Sequence, residues 1–138
     1  MPKQSNVNYP LIDQPDNNLV TQSGRAVDDI TREQIAAGDW TATDVQISPD
    51  NLVRQAEVAD SVGRNTLADN FRRAAELTAV PEADILRIYN ALRPRRSTKA
   101  ELFALIEELE SKWHAPLNAA MVREALAAYE ARNCLRDK

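Results

Sequence analysis

Glycine is nearly absent from this sequence, with three in 138 residues. Gly24, Gly38 and Gly63 stand far apart, so neither a phosphate-cradling loop nor a dinucleotide-binding turn can be built from them. Aromatic residues make up only 5% of the chain. Few glycines and few aromatics together argue against a β-sandwich or barrel, whose turns and strands draw on both. Cys134 is the single cysteine, which excludes an intrachain disulfide, and with His114 as the single histidine no structural zinc set can be assembled. Cys134 has no second histidine to activate it and reads as an incidental thiol. His114, beside Trp113, reads as a polar residue at a helix end. Long apolar runs are missing as well. Nothing approaches the ~20 residues needed to cross a bilayer, and residues 1–15 lack the apolar centre of a secretory signal. The chain is expected to be soluble and cytoplasmic.

Alanine, leucine, glutamate and arginine are plentiful, and these favour helix. With 43% hydrophobic and 28% charged residues the chain has the balance of a folded protein, one domain in size. The net charge of −4 does not suit a protein that coats nucleic acid.

The chain reads as an all-α fold of about five short amphipathic helices behind an extended, irregular N-terminal arm, residues 1–28. The helical domain is expected over 29–138. Pro2, Pro10 and Pro15 break up the arm, which still carries small apolar groups: Tyr9 with Leu11 and Ile12, then Leu19 with Val20. Thr31 followed by Gln34 has the spacing of a capping box, and Gly38 suits the end of that short helix. Ser48 and Pro49 open the next helix, whose apolar face takes Leu52, Ala56, Ala59 and Val62 before Gly63 stops it. Leu67, Phe71, Ala74 and Ala75 form the apolar face of a segment from about 64 to 77. Past Pro81, the residues Ile85, Leu86, Ile88, Tyr89 and Leu92 make a wide stripe that ends before Pro94. Thr98 and Glu101 form a second capping box ahead of Leu102, Leu105, Ile106 and Leu109, which fall at i, i+3, i+4 and i+7. Pro116 opens the last helix, with Leu117, Ala120, Met121, Ala125 and Ala128 along one side, and residues 135–138 are expected to fray.

No catalytic constellation stands out. Glu107, Glu108 and Glu110 read as the solvated face of a helix, because nothing places two of them in an apolar pocket. The most distinctive local feature is the basic loop of Arg93, Arg95, Arg96 and Lys99. Arginine in such a loop can pair with phosphates or carboxylates. A protein interface or a solvated loop is favoured over nucleic-acid binding, since the rest of a nucleic-acid footprint is missing. The competing reading is a helical regulatory or nucleic-acid-binding module that uses residues 93–99. A stand-alone enzyme is weaker still, for want of a visible base, nucleophile or metal set.

Residues 70–102 closely resemble the small subunit of adenosylcobalamin-dependent diol and glycerol dehydratases. The runs carrying the likeness are Phe71-Arg72-Arg73-Ala74-Ala75-Glu76-Leu77 and Ile88-Tyr89-Asn90-Ala91-Leu92-Arg93-Pro94 with Arg96 and Ser97 behind it. Tyr9-Pro10-Leu11, Asp29 and residues 119–125 extend it over nearly the whole chain. The resemblance implies a lyase complex that turns propane-1,2-diol or glycerol into an aldehyde by a radical route. It implies a TIM-barrel large subunit, a medium subunit, and adenosylcobalamin bound between those two. A mostly helical small subunit would pack on the large one, in a dimer of heterotrimers. No catalytic, cofactor-binding or metal-binding residue carries over to this chain, and neither nucleic acid nor membrane is an expected partner. The arm residues Tyr9, Leu11 and Ile12 and the loop residues Arg93, Arg95 and Arg96 are the expected subunit contacts. Members of the family often sit inside bacterial microcompartments. The proline-broken start of this chain does not look like an encapsulation helix, so any such address is expected on another subunit. The choice between the two substrates is not written in this chain.

Overall fold

The structure is a computed structural model that describes residues 9–13 and 19–137. It is helical. The α-helices are α1 (Arg32–Ala37), α2 (Pro49–Ser61), α3 (Asn65–Leu77), α4 (Glu82–Ala91), α5 (Lys99–Ser111) and α6 (Pro116–Ala131), with 3-10 turns at Leu11–Asp13 and Val27–Asp29. Five of the helices run ten residues or longer, and α1 is the short one. Among the described residues β pairing is limited to an isolated bridge between Val20 and Ala26. No described helix is long and apolar enough to cross a membrane.

Helix ends follow the local chemistry closely. At the end of α2 the Gly63 N–H donates to the Asp60 carbonyl (3.0 Å) and the Arg64 N–H to the Ala59 carbonyl (2.9 Å). This paired closure needs a left-handed residue, and Gly63 supplies it at φ 76. Asn133 does the same at the end of α6 with φ 51, where the Cys134 N–H reaches the Tyr129 carbonyl at 2.9 Å. The Thr98–Glu101 capping box is complete, each side chain accepting from the other's backbone N–H. The Thr31 box forms only by half. Thr31 Oγ1 accepts from the Gln34 N–H at 3.3 Å, while the Gln34 side-chain oxygen is buried without a partner. Ser48 caps α2 through no side-chain bond, so that helix start rests on Pro49 at its first turn.

The chain divides into two compact units, residues 1–75 and 76–138. In the first, α2 and α3 pack through Ala56, Ala59 and Ala68, with Phe71 laid against them. Ala68 is buried there and Leu67 is exposed, one position from the expected face. Small residues at the contact let the two backbones approach. Val62, expected on the buried face of α2, is exposed at its C-terminal end.

The second unit holds the larger core. Leu102, Leu105, Ile106 and Leu109 of α5 meet Ala119, Val122 and Leu126 of α6, joined by Ile88 of α4 and by Val80 and Ala115 from the connections. Each fully buried leucine stabilises the fold by about 1.5–3 kcal/mol relative to exposure. The face of α6 that packs is therefore only partly the expected one, with Ala125 and Ala128 half-buried. Leu117 (43% exposed), Met121 (37%) and Ala120 point outward. Because α6 is apolar on both sides, its own periodicity does not choose between them. On α4 only Ile88 is buried, Ile85 and Leu92 are half-buried, and Leu86 and Tyr89 are exposed.

Candidate subunit interface

The connection between α4 and α5 carries the three expected arginines. It is held from beneath by the second unit's own polar groups. The Tyr129 hydroxyl donates to the Leu92 carbonyl, and Ser97 Oγ donates to the Ala91 carbonyl at 2.8 Å. The Arg95 N–H donates to the Cys134 carbonyl at 2.7 Å, and the Arg136 N–H to the Ser97 carbonyl at 2.9 Å. Arg95 adopts φ 62, the left-handed conformation, and these bonds hold it there. Ser97 is buried, whereas Arg93, Arg95 and Arg96 are all exposed. None of the three guanidinium groups has an ion pair or hydrogen bond with a described residue. The backbone of the loop is fixed and its charges face outward.

The bonds from Cys134 and Arg136 also correct the expectation of a frayed C-terminus. Residues 134–136 dock on the loop, and Leu135 packs against the α5–α6 core. Arg136 further pairs with Glu101 at 2.6 Å. The Thr98 N–H that closes the capping box, aided by Arg136, holds the Glu101 carboxyl below the usual carboxylate range. Between this docked tail and the start of α5 lies an open groove of about 620 Å³, lined by Thr98, Lys99, Ala100, Phe103, Leu135, Arg136 and Asp137. Its floor is Ala100, Phe103 and Leu135. Lys99 sits over the Phe103 ring at 5.7 Å and pairs with Glu130. A second groove of about 310 Å³ runs past Arg96 and is polar, with Arg87, Glu101 and Glu108 in its wall. There Arg87 spans both oxygens of Glu108, at 2.7 and 2.8 Å, and ties α4 to α5. Neither groove was legible in the sequence, because each depends on which segments the fold brings together.

The arm residues sit in the first unit. Tyr9 is 68% exposed and Ile12 51%; Ile12 stands on the 3-10 turn that buries Leu11, and Tyr9 lies two residues before it. That unit also contains a polar cluster not foreseen from sequence. Asp44 is buried and accepts from Ser23 Oγ, from the Thr41 N–H at 2.8 Å and from Thr41 Oγ1 at 2.8 Å. Arg25 lies 3.7 Å from the same carboxylate and stacks on Trp40 at 4.5 Å. The Ser23 and Thr41 hydrogen bonds, with a smaller contribution from Arg25, hold Asp44 down to about 2. The cluster joins residues 21–25 to 39–44 and holds that loop together.

His114 is exposed in the connection between α5 and α6, with φ 51. Cys134 is half-buried, its thiol 3.5 Å from the Arg132 carbonyl. Among the described residues no group of three or more His, Cys, Asp or Glu side chains is placed to hold a metal ion.

Comparison with known proteins gives a consistent result. The family described as dehydratase small subunit matches residues 4–136. The propanediol dehydratase small subunit of Citrobacter freundii is 48% identical over 128 residues, covering 93% of this chain and 74% of the relative. That of Salmonella typhimurium (strain LT2) is 47% identical over the same length and shares.

Proposed function

This chain belongs to the dehydratase small-subunit family, and from that premise we propose that it is the non-catalytic small subunit of an adenosylcobalamin-dependent diol dehydratase. The complex would convert propane-1,2-diol, or glycerol, to an aldehyde and water. The observation that carries the reading is the likeness to two propanediol dehydratase small subunits over 93% of this chain. A lyase complex of this kind needs larger partners. We assign those roles to a large barrel subunit and a medium subunit, in a dimer of heterotrimers.

The groove beside Phe103 does not fit the cofactor. A corrin with two nucleoside-bearing arms needs a far larger and more polar site than the open groove beside Phe103, whose floor is carbon. The cofactor and the radical chemistry therefore belong, on this reading, to the larger subunits, and the task of this chain is assembly and stability of the complex. Tyr9 and Ile12 serve as contacts from the arm, with buried Leu11 anchoring their turn. Arg93, Arg95 and Arg96 serve as polar anchors from the loop. The complex works in the cytoplasm or inside a microcompartment, with any address on another subunit.

The test is a tagged co-expression with the larger subunits. Co-elution with adenosylcobalamin-dependent aldehyde formation, lost when this chain is omitted, is the expected result. Full activity of the other subunits without it would overturn the reading.

A further inference from the structure

Residues 93–99 carry four positive charges and no acid. Lys99 is paired with Glu130, and Arg136 across the groove is paired with Glu101. The three guanidinium groups of Arg93, Arg95 and Arg96 have no described counter-ion. They also lie on a backbone that is already ordered, because Arg95 is bonded to Cys134 and Ser97 to Arg136. The same bonds set the Arg95 backbone against Cys134, next in the chain to Leu135, which with Phe103 lines the apolar groove, while Arg96 lines the polar groove on the other side of α5's start. Phe103 is 49% exposed, a large ring left half in water. Cations on a braced backbone, close in the chain to a groove with a half-exposed aromatic ring, match a ligand that offers carboxylates and one large apolar side chain together.

Resting on the subunit reading above, we infer that this groove receives an acidic segment of one of the larger subunits, its carboxylates on Arg93, Arg95 and Arg96 and an apolar side chain between Phe103 and Leu135. Charge complementarity selects the occupant. A second copy of this chain is disfavoured by the repulsion of two identical cationic loops. Nucleic acid is disfavoured because the groove lining offers one aromatic ring, Phe103, for stacking. Since the loop backbone is fixed beforehand, docking orders little beyond the arginine side chains themselves.

The experiment uses the co-expressed complex. A photo-crosslinking amino acid in place of Phe103 is expected to capture a larger subunit at a segment rich in Asp and Glu. Capture of a segment without carboxylates, capture of a second copy of this chain, or no capture from an assembled complex each overturns the inference. Reversing the loop charges together (Arg93→Glu, Arg95→Glu, Arg96→Glu) is expected to weaken association about 10- to 100-fold and to flatten its dependence on salt. These side chains are exposed, and circular dichroism of the variant verifies that its helices remain. Unchanged affinity and salt dependence would overturn the inference. So would tight binding of a 20-nucleotide single strand by the wild-type chain that the triple reversal abolishes. If the wild-type chain fails to co-elute with the larger subunits, the subunit reading fails. If it co-elutes and the reversed loop binds equally well, only the groove assignment fails.

Discussion

Glu76 and Asn118 are 42 positions apart, yet one carboxylate oxygen of Glu76 accepts both the Asn118 backbone N–H at 3.0 Å and the Asn118 side-chain amide at 2.7 Å. The other oxygen accepts the Leu117 N–H at 2.9 Å. The first turn of α6 begins with Ala115 and Pro116, which provide no side-chain cap. A carboxylate from the end of α3 takes over that duty, satisfying two of the amides that every helix start leaves open and placing negative charge at the positive end of the dipole.

Glu76→Ala is expected to cost about 1–2 kcal/mol, the usual loss for a removed cap. Glu76→Gln should retain part of it, because one oxygen remains. Hydrogen exchange at the amides of Leu117 and Asn118 is the direct readout. Unchanged protection in the alanine variant would show that α6 starts without this carboxylate.

The face of α6 that packs makes a sharp contrast between neighbours. Leu126→Ala and Leu109→Ala should each destabilise the second unit by about 2–5 kcal/mol, the range for emptying a buried leucine site. Met121→Ala, one position from buried Val122, should cost under about 1 kcal/mol, because its side chain already meets water. Denaturant unfolding of the assembled complex and of the free chain would measure both. A large Met121 effect confined to the complex would mark that outer face as a contact.

Acid should loosen the first unit through Asp44. Its carboxyl is held at about 2 in the folded chain against an ordinary 3.8, chiefly by the Ser23 hydroxyl and the Thr41 N–H. A depressed folded-state value contributes stability that is fully present above the ordinary value and is lost as pH falls toward about 2. Between pH 4 and 2, expressed as a melting temperature, wild type should fall more steeply than Asp44→Asn, which is less stable at neutral pH. Parallel curves would show that the cluster contributes nothing to acid sensitivity.

The arm proposal has its own test. Tyr9→Ser with Ile12→Ser should weaken association with the larger subunits and leave the melting of the free chain nearly unchanged, since both side chains are exposed. Leu11→Ser should instead destabilise the free chain, because Leu11 is buried. An intact, fully active complex with the double variant would exclude the arm as a contact.

The helices themselves were largely legible. In α5 the capping residues and the four buried apolar positions, Leu102, Leu105, Ile106 and Leu109, all coincide with the reading from spacing. In that helix one face is apolar and the other is Glu107, Glu108 and Glu110, so local pattern and burial have a single solution. In α6, Leu117 and Met121 compete with Val122 and Leu126, and spacing could not rank them. In α3, Ala68 displaced Leu67 because close helix contact favours the smaller side chain. The docked tail at residues 134–136 was illegible for a different reason: its bonds go to Ser97 and Arg95, far away in sequence.

By itself the sequence determined that this chain is helical, where most of its helices start and stop, and which family it resembles. These follow from local chemistry: proline, glycine and capping residues act on the turn they occupy, and amphipathic spacing acts within one helix. Only the tertiary structure decided which side of α6 is buried, that Glu76 caps it, that the arginine loop is braced by the C-terminal tail, and that a carbon-floored groove opens beside it. Apolar burial has no direction of its own. It takes its direction from the neighbour that comes to meet it, and that neighbour is chosen by contacts distant in the chain.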